Sequence, residues 1–543
     1  MKKYLLMLNM MNSFVVFAQT EKLIYHDIEV DQSGKIIPWY SAEPGKAYSH
    51  TIMSVWHFWD TMRADINGLP YYMNHQVWTP GSNDPRGIGG DQFAMALSSW
   101  QLLYQYNGDY RVKDNMRFIA DYYLSHGLSS PNCLWPNIPY PYNTLLYAGV
   151  YDGDMVIGKN FLQPDKAGSF GWELFKLSRM LGTISHGQTP GGIYLNAAVK
   201  IANTLAAKTT AGNYDNSPMP FKVNALTGAV GSLHDNYGSS KKVQGSSYTS
   251  NWSGIMELWL ALIKINKGDT KKYQQAFNTM MAWMKKYPLQ NNRWGPFFED
   301  IPGWSDTQIN AITFAQFMME HPAYFPEWKQ QVKNIFAWVY KTVGNKTWLK
   351  YGVTVVNEQT AYQTPGNSHT SRQACAELQY AALTGDTTYT DNAIRALNWA
   401  TYMVDTDGKN RYPQDENWLT DGYGDYIRHY LRSFAAMPLL APSDEDHIVF
   451  STDIIQFAEY KNSPYKKFMF GEKLPEMVSL KYSTSEKKGS EIIRLTAKPG
   501  KIYFNNRPAG ETNTGEGYKW VQLSAGGLLT INRVNTNEVM LME

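Results

Sequence analysis

An apolar helix opened by Gly, Ser, Asn or Asp recurs six times along this chain, and most copies are followed by a short turn and an amphipathic helix. The inner candidates start near Gly90, Gly168, Asn251, Asp306, Ser368 and Gly422. Each reads as apolar almost all round: Phe93, Ala94, Met95, Leu97, Trp100, Leu102 and Leu103 in the first, Ile309, Ile312, Phe314, Phe317 and Met318 in the fourth. A helix with no polar face has to be covered on every side. The intervening helices differ. Around Tyr273, the residues Phe277, Met280, Met281 and Met284 share a face that Lys271, Lys272, Lys285 and Lys286 avoid, which suits an outer layer. The turns Asn107-Gly108-Asp109, Asn266-Lys267-Gly268-Asp269 and Thr384-Gly385-Asp386 supply a glycine stop and an acidic start. The spacing is too irregular for a short-repeat solenoid, and a ring of helical hairpins is the expected architecture. The sixth outer helix is the unclear one: the segment from Gln19 to Asp60, or a later one, completes the ring.

Connections are asymmetric. Turns from inner to outer helix are short, whereas the returns are long and rich in aromatics, Pro and acids, as in Trp135 to Tyr142, Tyr151 to Asp154, Trp294 to Asp300 and Tyr412 to Trp418. That face is the expected ligand cleft. With 18 Trp and 37 Tyr, aromatics make up 14% of the chain. Core packing accounts for many, but flat rings with polar edges also suit sugars. The net charge of +2, with no long charge run, gives no electrostatic case for a nucleic-acid partner.

Met1-Lys2-Lys3, an apolar run to Ala18 and then Gln19 read as a secretory signal over residues 1–18, placing the mature protein in the periplasm or outside the cell. No later run is long enough to span a bilayer. Cys133 and Cys375 make no disulfide framework or Cys metal cluster; one bridge or two separate thiols are both open. The expected divisions are an N-terminal segment over 19–84, a helical ring over 85–442 and a β-domain over 443–543. The last rests on a change to alternating pattern in Val478-Ser479-Leu480-Lys481-Tyr482, Ile492 to Ala497, Lys501 to Phe504, Trp520 to Leu523 and Leu528 to Ile531, read as a small antiparallel β-sandwich.

In these features the chain resembles the six-hairpin toroid class of secreted carbohydrate-active enzymes, which includes glycoside hydrolases and polysaccharide lyases with a C-terminal β-sandwich. The resemblance covers residues 85 to 440 as an (α/α)6 toroid and the trailing strands as an appended domain. It points to a fold and not to one family. It implies a substrate cleft where the N-termini of the inner helices meet their preceding loops. Intracellular sugar epimerases share the toroid, but the export signal argues against them.

Glycosidic hydrolysis needs one carboxylic acid to protonate the leaving oxygen and a second carboxylate to activate water or attack. Acids at or before the inner-helix starts are Asp91, Asp152, Asp154, Asp165, Glu299, Asp300, Asp306, Glu358, Asp421 and Asp425. Helix capping alone explains some, Asp91 and Asp306 most clearly. Asp152 and Asp154 lie in a long loop, and Asp421 and Asp425 share a helix face if the helix includes both, so these four are the catalytic candidates. Either pair is chemically able to hold a metal, but neither has the pattern of a calcium loop, and no metal or cofactor is expected. Substrate-binding candidates are His57, Asp60, Trp78, Asp91, Trp135, Glu358, Asn367, His369, Arg372, Tyr423 and Tyr426, with Trp59 and Trp304 as further wall residues.

A lyase would need a uronate neutraliser, a base and an acid. Asn367-Ser368-His369-Thr370-Ser371-Arg372, with Tyr423 and Tyr426, resembles the Asn, His, Tyr and Arg sets of toroid lyases in residue type. It departs from some of those families by the residue between Asn367 and His369, and His369 as a plain wall residue is the competing reading. The expectation is a glycoside hydrolase acting on an acidic, uronate-containing oligo- or polysaccharide. A β-eliminating polysaccharide lyase is the first alternative and a noncatalytic glycan-binding protein the second.

Overall fold

The computed structural model describes residues 21–61, 65–66, 69–70, 90–142, 144, 151–154, 156–182, 191–234, 242–298, 304–411, 425–461, 477–512 and 514–543. Thirteen helices lie among them: α1 Pro44–Thr61, α2 Gly90–Asn107, α3 Tyr110–His126, α4 Pro164–Leu181, α5 Gly192–Lys208, α6 Ser253–Lys264, α7 Thr270–Lys286, the single-turn α8 Pro288–Asn291, α9 Gln308–Glu320, α10 Trp328–Thr342, α11 Asn367–Thr384, α12 Thr390–Thr401 and α13 Asp425–Ala436. Helices α2, α4, α6, α9, α11 and α13 each pack on the next, and α13 packs back on α2, closing an inner ring. The first inner helix starts at Gly90 as expected. The others begin within four residues of their expected starts, Gly168 falling inside α4 and Asp306 before α9.

Helices α3, α5, α7, α10 and α12 are the outer partners of the first five inner helices. The sixth outer position belongs to α1, which packs on α12 and α13; the N-terminal segment therefore completes the ring. Burial separates the two layers. Every residue from Gln308 to Met319 in α9 is buried except Thr313, whereas α7 buries Tyr273, Phe277, Met280, Met281 and Met284 and leaves its lysines outside. Large core rings such as Trp100, Trp259 and Trp399 are fully covered. Truncating one of this size to Ala typically costs about 3–5 kcal/mol.

Asp109 caps α3 by accepting from the Arg111 amide at 2.9 Å, and Asp269 caps α7 through the Lys272 amide at 3.1 Å. Gly108 has φ +66°, and a Cβ there would stand 2.8 Å from the Ala458 carbonyl oxygen, so both the turn and its neighbour demand glycine.

Beyond α13 the chain forms two antiparallel sheets, a four-stranded one in the order His447–Ser451, Gly489–Leu495, Gly527–Arg533, Gly517–Gln522 and a five-stranded one in the order Ile455–Tyr460, Val478–Thr484, Glu538–Met542, Lys501–Phe504, Arg507–Pro508. Val478–Thr484 and Gly527–Arg533 bury alternate residues, as strands with one covered face do. Arg533 is fully buried and holds Glu491 at 2.8 to 3.1 Å; Tyr482 of the other sheet donates to the same carboxylate at 3.0 Å. These strands are bolted to the C-terminal end of α2. His447 stacks on Tyr106 at 3.7 Å and donates to its carbonyl at 2.8 Å, and Tyr460 donates to the Gln105 carbonyl at 2.5 Å. The sheets thus cover the ring on the side opposite the inner-helix N-termini. Among the described residues no helix is long and apolar enough to cross a membrane. Cys375 is buried, Cys133 is half-buried, and the two are not bridged.

Candidate functional site

Each of the first five inner helices is followed directly by its outer partner, so the N-termini of the six inner helices share one face, the one that the described parts of the long returns reach. Lys166, the third residue of α4, is 3% exposed there. Its ammonium bonds Asp165 at 2.9 Å and the Phe297 carbonyl at 2.8 Å, and lies 3.2 Å from the centre of the Phe297 ring. Asn251 donates to the same Asp165 oxygen at 2.9 Å, while the other oxygen of Asp165 is buried without a hydrogen bond. A buried ammonium is tolerated only when paired in this way. Below this group a channel of about 130 Å³ runs down the ring axis between Met95, Phe297 and Ile309.

The axial wall is not apolar throughout, contrary to the sequence reading. Glu173, Glu257, Glu320, Arg428 and Arg432 line the lower channel. Glu173 pairs with Lys176 at 2.8 Å and Glu257 with His321 at 2.6 Å. Burial lowers the Lys176 pKa below its usual value, opposed by Glu173. The sequence signal for these groups was present: single ionisable residues inside otherwise apolar helical windows, spaced to share a face.

Asp152 and Asp154 diverge although two residues apart. Asp154 is fully buried: one oxygen accepts from the amides of Val156 and Ile157 at 2.9 Å and from Lys222 at 3.1 Å, and the other accepts from Gln163 at 2.7 Å. Its carboxylate is committed to holding the return loop. Asp152, beside Tyr151, which packs on Phe93 near the start of α2, accepts from the Thr144 amide and hydroxyl at 2.9 and 2.7 Å through one oxygen. Among the described residues its second oxygen is buried with no hydrogen bond, and Lys159 stands 4.0 Å from it.

Asn367, His369 and Arg372 occupy the first turns of α11 and are buried. Asn367 donates to Asn410, and the His369 ring lies 5.8 Å from that of Phe298. Glu358 is buried in the return before α11 and accepts from Gln359 at 3.0 Å. Asp306 is no helix cap: Thr307 takes that position, and Asp306 accepts from the Trp294 and Gly295 amides and from the Trp304 indole.

Other expected contributors lie elsewhere. Tyr426 turns to the outer layer, donating to the Ala400 carbonyl. Asp60 pairs with Arg111 at 2.7 Å beside the α2–α3 turn, at the end of the ring away from the inner-helix N-termini. His57 is exposed on the outer helix α1. Trp59 is fully buried against Trp100, and Trp135 is 5% exposed, so both are core residues where wall residues were expected. Asp91 and Asp425 stand in the first turns of α2 and α13, adjacent inner helices, but their side chains lie outside the described residues, as do Trp78, Glu299, Asp300, Asp421 and Tyr423 entirely.

No protein-family model matches the chain, and no curated protein matches it. Among solved structures, the cellobiose 2-epimerase from Spirochaeta thermophila DSM 6192 is similar with a TM-score of 0.53 at 12% identity, over 73% of this chain and 96% of that one. A D-mannose isomerase is similar with a TM-score of 0.51 at 10% identity, over 73% of this chain and 100% of that one. The chain has the (α/α)6 toroid fold. At such identity the likeness is one of architecture.

Proposed function

We propose that this protein hydrolyses glycosidic bonds in an acidic glycan bound at the toroid mouth. Asp152 carries the reading. A buried carboxylate oxygen without a hydrogen bond among the described residues calls for a reason, and an acid reserved for proton transfer is one. Asp421 or Asp425, preceding or opening α13, supplies the second carboxylate. Lys166, His369 and Arg372 hold the substrate, a guanidinium being well shaped for a uronate carboxylate. Asp154 positions the loop that carries Asp152. The two similar toroids are, by name, a sugar epimerase and a sugar isomerase, which supports a sugar ligand here.

β-Elimination is the second reading, supported by His369 and Arg372 standing one turn apart on the mouth wall. Incubation with a panel of acidic and neutral polysaccharides separates the two. Hydrolysis gives new reducing ends without the ultraviolet absorbance of an unsaturated uronate, and Asp152→Asn slows their release by about 10² to 10⁴. Appearance of that absorbance rejects hydrolysis and moves His369 into the catalytic role. Cleavage of neutral polymers alone rejects the acidic substrate.

A further inference from the structure

At the rim of the same face, the guanidinium of Arg293 is boxed by three rings. Its central carbon lies 3.8 Å from the centre of Trp304, 4.5 Å from Tyr214 and 5.1 Å from Tyr248. The box is rigidly built. Asp306 clamps the Trp304 indole at 2.8 Å and the Trp294 and Gly295 amides at 2.8 and 2.9 Å, and Tyr248 donates to the Arg293 carbonyl at 2.5 Å. Gly295 has φ +69°, and a Cβ there would stand 2.6 Å from the Tyr248 ring, so the rings close only around glycine.

Stacking uses the faces of a guanidinium and leaves its in-plane N–H donors for a planar acceptor. Those donors are poorly used. Among the described residues Nε is buried with no hydrogen bond, and Nη2 reaches only Asp215, at 3.6 Å, whose side chain is 78% exposed. An ion pair so open to water contributes about 0–1 kcal/mol and is easily displaced. Tyr214 is 47% exposed and presents a ring to solvent beside the cation. The box is also joined to the mouth: Arg293 precedes Phe297, the Lys166 partner, by four residues, a reach of at most about 14 Å.

We propose that the Arg293 box is an outer subsite for an anionic pyranose residue, the guanidinium pairing with its carboxylate or sulfate while Tyr214 stacks on the ring. The subsite rests on the glycan reading above but not on the bond-breaking chemistry. Native gel electrophoresis of the full chain through polygalacturonate, dextran sulfate or plain dextran tests it. Retardation is expected in one or both anionic gels and not in dextran, the responding gel separating carboxylate from sulfate recognition. Arg293→Met and Tyr214→Ala should each weaken the apparent affinity about tenfold. Asp215→Asn, which removes the competing carboxylate at an exposed position, should strengthen it.

Unchanged retardation in both Tyr214→Ala and Asp215→Asn overturns the subsite, even if Arg293→Met fails to fold. Absence of retardation in both anionic gels overturns it as well. Retardation that follows this pattern in a protein that cleaves nothing sustains the subsite while rejecting the hydrolase.

Discussion

At the N-terminal ends of the inner helices the first turns of α4 and α11 carry the buried Asp165, Lys166, His369 and Arg372, whereas at the C-terminal ends a cavity of about 520 Å³ beneath Ile448 and Phe450 of the four-stranded sheet is lined mainly by apolar residues such as Leu102, Met319 and Leu431, with Glu320 and Arg432 at its border to the channel. One set of helices thus begins in polar chemistry and ends against a mainly apolar surface. The difference follows from what covers each end. Inner-to-outer turns such as Asn107 to Asp109 are too short to build walls, so the sheets supply a lid there and the helix ends are apolar to meet it. The long returns fold over the N-termini, where free amides and the helix dipole favour polar and acidic groups. Function is expected at the end that loops cover.

The largest effects should separate two aspartates of the polar end. Asp152→Asn is expected to reduce turnover by about 10² to 10⁴ with the urea midpoint kept, since only proton transfer is removed. Asp154→Asn takes away the charge that pairs with Lys222 and that the Val156 and Ile157 amides bond, an expected loss of about 1–3 kcal/mol in urea unfolding. If Asp154→Asn kept its midpoint and lost turnover, the two roles would have to be exchanged.

A smaller effect probes the wall between the ends. Glu377 of α11 is fully enclosed between the layers and accepts from Gln373 at 2.8 Å. Burial pushes its pKa from 4.5 up to about 8, against the hydrogen bonds of Gln373 and Tyr340. Between those values the unfolded chain has released the proton that the folded chain still holds, so this group disfavours folding increasingly as pH rises. Wild-type stability should fall from about pH 5 to about pH 8, and Glu377→Gln should flatten the slope. Parallel slopes for the two proteins would show that the carboxyl is not held protonated.

The smallest effect is expected at the apolar end. Ala435→Leu adds methylenes into the cavity beneath the sheet, so urea stability should stay within about 0.5 kcal/mol and turnover should not change. A turnover loss in this variant would break the division between a working end and a covered one.

Much of the ring was legible because its signals are local. Glycine and aspartate punctuate the α2–α3, α6–α7 and α11–α12 turns within a few residues, and the switch of period after α13 announces strands. The sixth outer helix was legible only as one of two options, since α1 meets α12 across 350 residues of sequence. The site was harder for the same reason. Nothing near Asp154 in sequence reveals that Lys222, 68 residues on, takes its charge, and Tyr426 reads as a mouth residue until the Ala400 carbonyl turns it outward. The channel carboxylates were overlooked because one Glu among many apolar residues barely disturbs a helical pattern, although Glu173 and Glu257 each stand in such a window.

The placement of α1 also bears on how the chain reaches its folded state. Tyr48 donates to Asn398 at 2.5 Å across 350 residues, and Trp56 donates to Asp109 at 3.1 Å, so α1 joins the fifth hairpin to the first. Such a contact cannot form until α12 has been synthesised. A nascent chain is therefore an open arc whose first and last inner helices each have an apolar flank bare to solvent, and the cost of bringing such distant segments together falls on the final step. Release or truncation before that step leaves two sticky edges that fit one another within a chain and equally well between chains, which makes the moment of ring closure the point of greatest aggregation risk.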